Sequence, residues 1–100
     1  MYIQAVKLTF KAEWVSSLKE KRMIVKGLIS KASNKFNIAV AEVENQDIHT
    51  LITIGFCCIS NSAVLCNSIC DKVTDFLENN TDALLIETIR EDDRLCESEF

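Results

Sequence analysis

The chain has no proline, two glycines and one histidine. No apolar run comes near the ~18 residues that a bilayer-crossing helix needs. Without proline, and with glycine only at Gly27 and Gly55, there is little material for long flexible linkers. No segment is repeated or low in complexity. Residues Met1 to Phe10 alternate in polarity and lack the basic-then-apolar build of a secretion signal. The expected compartment is therefore the cytoplasm, with no membrane partner. The sequence also lacks any Cys-x-x-Cys pair, so its five cysteines read as reduced thiols rather than a disulfide framework or a zinc site.

What is present suits one packed domain. The 100 residues are 48% hydrophobic and 26% charged, which argues against disorder. Charge is divided unevenly. Residues 1–37 hold eight Lys/Arg against two acids, a net of +6, whereas residues 38–100 hold three against thirteen, a net of −10. Such a split marks either a polyanion-binding face or basic and acidic helices lying side by side.

Period-two alternation from Tyr2 to Phe10 predicts a half-buried strand, with Val6, Leu8 and Phe10 on one face and Ile3, Ala5, Lys7 and Thr9 on the other. Ser17-Leu18-Lys19-Glu20 has the form of a capping box and predicts a helix to about Asn34–Phe36. Its apolar stripe is Leu18, Val25, Leu28, Ile29, Ala32 and Phe36. Ile38 to Glu44 and Thr50 to Ser60 read as strands joined by the turn residues Glu44-Asn45-Gln46-Asp47. Ser60 or Asn61 can cap a second helix to about Glu78, striped by Cys66, Ile69, Cys70, Val73, Phe76 and Leu77. Leu84 to Arg90 is a fourth strand. The order βαββαβ with right-handed crossovers gives an α+β, ferredoxin-like two-layer sandwich, its four-stranded antiparallel sheet covered by both helices on one face. The domain is expected to occupy residues 1–90, and residues 91–100 a frayed acidic tail.

The motifs Ser17-Leu18-Lys19-Glu20-Lys21-Arg22 and Phe36-Asn37-Ile38-Ala39-Val40-Ala41-Glu42-Val43 resemble those of the YlxP-like family of small bacterial proteins of unknown function. Asp47, Gly55, Ser60-Asn61 and Asp71-Lys72-Val73 fit as well. The resemblance covers the chain to about residue 90 and implies a ferredoxin-like fold. It also implies a gene often found among genes for translation and ribosome maturation. It supplies no catalytic residues, and the tail beyond Arg90 departs from the short family ending.

The basic first helix is the strongest functional signal. Lys19, Arg22 and Lys26 fall on one flank, Lys31 and Lys35 on the other, and Lys21 in the first turn. A stripe of this kind neutralises phosphates, so the leading expectation is a non-enzymatic accessory protein docking on ribosomal RNA or a ribosome precursor. Lys7 and Lys11 extend the patch in this reading. Against it stand Asp71, Asp75 and Glu78 on the second helix, whose charge would complement the first. Trp14 beside the helix start could stack on a base, but folding over the edge of the core is the expected role of such a residue.

The alternative is a homodimer through the sheet face away from the helices, where Ile3, Ala5, Thr53, Gly55, Cys57 and Ile59 would form a small, apolar surface. That face has no stacking aromatics of the RNA-recognition-motif kind. Cys66 and Cys70 lie one turn apart with Cys58 able to face them, but buried cysteine as a small hydrophobe is the commoner outcome, and no metal is expected. His49 with Asp47 fits a hairpin turn better than an acid–base pair. Ferredoxin-like acylphosphatases need a Gly-rich, Arg-bearing loop after the first strand, and metal carriers of this fold a Cys-x-x-Cys. Ala12-Glu13-Trp14-Val15 has neither, nor the glycines of amino-acid-binding regulatory domains. No enzyme activity, cofactor or small-molecule substrate is expected.

Overall fold

The structure, a computed structural model, describes residues 1–96. Its elements are β1 (Tyr2–Lys11), α1 (Leu18–Lys35), β2 (Ala39–Glu44), β3 (Leu51–Ser60), α2 (Ala63–Asn79) and β4 (Leu84–Arg94). The sheet order is β2-β3-β1-β4, every neighbouring pair antiparallel. This is the ferredoxin-like α+β sandwich that the alternation and helical stripes imply. Val6, Leu8 and Phe10 of β1 and Ile52, Ile54, Phe56 and Cys58 of β3 form the floor of the core. Val25, Leu28 and Ala32 of α1 and Cys66, Cys70, Val73 and Leu77 of α2 close it from above.

Local signals set the helix ends. The Ser17 hydroxyl accepts from the Glu20 amide at 3.1 Å, but the Glu20 carboxylate reaches back one residue beyond a standard capping box. It accepts from the Ser16 amide and hydroxyl. The cap of α2 is Ser62, which accepts from the Leu65 amide. Ser60, one of the two caps expected, instead accepts from the Ser62 amide and fixes the entry into the helix.

Two irregularities shape the sheet. The β2–β3 register slips between Glu42 and Glu44, leaving Val43 bulged. Asn45 then turns the chain at φ 59°, a left-handed conformation that asparagine tolerates better than most residues. At the other edge, β4 runs four residues past the expected end at Arg90. Glu91 to Arg94 pair with Ala5 to Tyr2, and the Leu95 amide donates to the Met1 carbonyl. The first part of the expected frayed tail is thus an edge strand, and residues 97–100 lie outside the described residues. The acidic side chains at this edge oppose strand-to-strand aggregation.

Candidate functional site

Helix geometry sorts the α1 cations by face. Lys19, Arg22 and Lys26 are exposed on the side turned away from the sheet, and Lys31 is exposed on the flank. None of the four forms an ion pair among the described residues. Lys35 lies over the Phe76 ring at 4.9 Å and the Phe36 ring at 5.8 Å, two rings that meet edge to face. The acids of α2 do not cancel this charge. Asp71 pairs with Arg90 of β4 at 2.7 Å, and no ion pair joins the two helices among the described residues.

Lys21 departs from the expected role of a phosphate contact. It is 0% exposed, because it stands four residues before Val25 and so belongs to the inward stripe. Its ammonium donates to the Asn45 and Ile48 carbonyls, the latter at 2.9 Å, and lies 3.1 Å from the Glu42 carboxylate. A buried ammonium with these partners clamps the β2–β3 turn to the start of α1. Lys7 and Lys11 do not extend the stripe either. Lys7 projects from the open sheet face and bonds Glu44 across β3 at 2.8 Å, a hydrogen bond that raises its pKa. Lys11 pairs with Glu13.

Trp14 is 51% exposed rather than folded into the core edge; Ala12 and Val15 fill that place. The indole borders a shallow dip with Ile24 and the Asn79–Asp82 segment.

On the open sheet face, Ile3, Ala5, Gly55, Cys57 and Ile59 retain at least partial exposure. Thr53 does not: it is 0% exposed, covered by the Asn45 side chain, whose Nδ2 donates to its hydroxyl at 2.8 Å. Thr53 Oγ1 also meets Thr9 Oγ1 at 3.3 Å. The remaining face is an apolar trough of about 550 Å³ lined by residues including Ala5, Ala39, Ala41, Val43, Gly55, Cys57 and Ile89. Val43, missed by sequence reasoning because a bulge is not visible in alternation, sits over Gly55. A Cβ added there would lie 2.9 Å from a Val43 methyl.

The cysteines divide as β3 alternation implies. Cys57 lines the trough, while Cys58, Cys66 and Cys70 meet inside the core with all three sulfurs within 4.8 Å of one another. Burial pushes the Cys58 thiol up to about 11 and raises Cys66 and Cys70 as well. Gln4, which alternation alone did not single out, stands directly opposite Cys58 in the β1–β3 register. His49 and Asp47 are both exposed in the turn, and no hydrogen bond joins their side chains among the described residues.

A ferredoxin-like domain with a basic outer helix and an uncovered sheet face is the class that fold and surface define. The chain belongs to the family described as “Protein of unknown function (DUF503)”, whose model matches residues 3–90. It is 32% identical over 63 residues to the “Uncharacterized protein YlxP” of Bacillus subtilis (strain 168), an alignment spanning 63% of this chain and 68% of that protein. The crystal structure of At3g17210 from Arabidopsis thaliana overlays with a TM-score of 0.49 at 13% identity, covering 98% of this chain and 99% of that one. No helix of the described residues is long and apolar enough to cross a membrane.

Proposed function

We propose that the protein is a non-catalytic docking module that binds structured RNA, ribosomal or ribosome-precursor, through the outer face of α1. Lys19, Arg22 and Lys26 make the phosphate contacts, and Lys31 and Lys35 widen the patch. The observation that carries this reading is that Lys19, Arg22, Lys26 and Lys31 are exposed on one helix without a carboxylate partner among the described residues. Unpaired surface cations gain most from a polyanion, because binding releases the counterions condensed on it. Trp14 is exposed in the loop that leads into α1 and adds a stacking surface.

The test is co-sedimentation with purified ribosomal subunits at low and high salt, beside a Lys19→Glu/Arg22→Glu/Lys26→Glu variant. Binding that disappears with salt and with the variant supports the reading. Wild-type protein that stays free of the particles at low salt overturns it.

A second reading rests on the apolar trough. Val43, Ile59 and Ile89 are large, exposed and apolar on the sheet's helix-free side, a surface that a second copy would cover. Sedimentation equilibrium separates the two readings: a dimer that persists or tightens in high salt belongs to the trough, since apolar association is not screened.

A further inference from the structure

Three buried thiols cluster between β3 and α2, and the buried Gln4 of β1 stands opposite one of them, Cys58, in the strand register. Cys58 Sγ lies 3.4 Å from Cys66 Sγ, and the three sulfurs of Cys58, Cys66 and Cys70 lie within 4.8 Å of one another. Four donors around one zinc ion, with Zn–S bonds of ~2.3 Å, place sulfurs ~3.8 Å apart, between those two distances. Cysteine is a common core filler, so the thiols alone would be unremarked.

Gln4 supplies the second, independent observation. It is 6% exposed, faces Cys58 across the β1–β3 register, and its Oε1 has no hydrogen-bond partner. The amide nitrogen donates to Asn67 Oδ1 at 2.5 Å. Buried amide oxygens are almost always satisfied. A carbonyl oxygen is a donor that a zinc ion held by three thiolates can take as a fourth ligand.

We propose that Cys58, Cys66 and Cys70 bind a single zinc ion as thiolates, with Gln4 Oε1 as the fourth, oxygen ligand. Three Zn–S bonds form as three S–H bonds break, and the protons leave to solvent. Thiol and carbonyl donors without a carboxylate or imidazole select a thiophilic ion over magnesium or calcium. The complex carries one net negative charge; burial raises the Cys70 thiol, and the Arg90 guanidinium, paired with Asp71, offsets only a part of that. Entry is provided by a recess of about 230 Å³ whose lining includes Gln4, Cys66, Asn67, Asp92 and Asp93. Asp92, opposite Gln4 in the β1–β4 register, brings a carboxylate to this side of the sheet, and the recess is also lined by Arg94. Asn67 acts as a positioning residue, through Gln4 rather than on the metal.

The experiment titrates the reduced, metal-free full chain with Co2+. Uptake of one equivalent is expected, with a thiolate-to-cobalt charge-transfer band and tetrahedral d–d bands, both discharged by one equivalent of Zn2+. Cys58→Ala is expected to abolish the bands and Cys57→Ala to leave them intact. Asn67→Ala, at an exposed site, should weaken uptake ~10-fold by freeing the Gln4 amide. X-ray absorption of the zinc-loaded wild type is expected to show three sulfurs and one lighter donor, a reading that needs no variant to fold. Absence of the charge-transfer band, its survival in Cys58→Ala, or a shell with fewer than three sulfurs overturns the proposal.

Discussion

Lys21 and Lys26 stand five residues apart on the same helix and meet opposite environments. The first is sealed beneath the β2–β3 turn against carbonyl oxygens and Glu42; the second lies in solvent with no counter-charge among the described residues. Identical side chains therefore carry different tasks. A cation on the inward face is satisfied before any partner arrives and can contribute only to folding. Its outward neighbours contribute little to folding and hold their charge for something else. Counting basic residues along α1 overstates the available charge; dividing them by helical face corrects it.

Breaking the inward side should have the largest effect. Lys21→Ala leaves the Asn45 and Ile48 carbonyls without the ammonium and Glu42 without its cation, an expected loss of ~3 kcal/mol or more. Urea unfolding reads it directly, and a loss under ~0.5 kcal/mol would show that the clamp does not hold the turn. The double variant Lys21→Met/Glu42→Leu removes both charges and should recover part of the loss, since the Asn45 and Ile48 carbonyls each keep a backbone donor, the Ile48 and Leu51 amides.

Breaking the outward side should leave stability alone and change binding. The Lys19→Glu/Arg22→Glu/Lys26→Glu variant is expected to unfold close to the wild-type urea midpoint, because exposed charges away from partners contribute little. Three phosphate contacts correspond to a ~40-fold drop in RNA affinity between ~50 and ~200 mM salt. The variant should lose both the affinity and that salt slope. An unchanged slope would place the contacts elsewhere on the surface.

The same division explains how much of the molecule was legible in its sequence. Strand alternation and the two helical stripes depend on nearest-neighbour spacing, and they yielded the βαββαβ order and the opposed faces of Cys57 and Cys58. Lys21 was readable in principle: with Val25, Leu28 and Ala32 it keeps the spacing of the buried stripe. Its charge concealed that position. The end of β4 was not readable, because Glu91, Asp92, Asp93 and Arg94 form an edge strand exposed along its length and carry no apolar alternation. Thr53 was lost to the open face for a different reason. The left-handed turn at Asn45 folds a side chain back over it, and Gln4 meets Cys58 only through a register between β1 and β3. Non-local pairings of that kind leave no trace in local pattern.

Neighbouring cysteines on β3 sharpen the comparison of inner and outer faces. Burial raises the Cys58 thiol from 9.0 to about 11, and burial raises Cys66 and Cys70 too. In metal-free protein the unfolded chain therefore gives up these protons at lower pH than the folded one. The stability they contribute is whole below pH 9.0 and falls as the pH rises through about 11. Urea midpoints taken from pH ~8 to ~10.5 should decline, and Cys58→Val should flatten part of that decline. A profile unaffected by this variant would mean that other groups control the alkaline limb.

The smallest expected effect concerns the trough itself. Gly55 leaves room for the bulged Val43, whose methyls would lie 2.9 and 3.2 Å from a new Cβ. Gly55→Ala must therefore push a half-exposed valine aside, at an expected loss of ~1 kcal/mol. Because the obstacle is a side chain rather than backbone, Val43→Ala in the same chain should relieve most of the clash, giving a coupling of similar size in a double-mutant cycle. Coupling near zero would mean that Val43 rotates away freely and that the trough wall is not fixed in the free protein. Strong coupling would mean that the wall is set before any second copy arrives, so the face presented for pairing is already shaped by one glycine and one bulge.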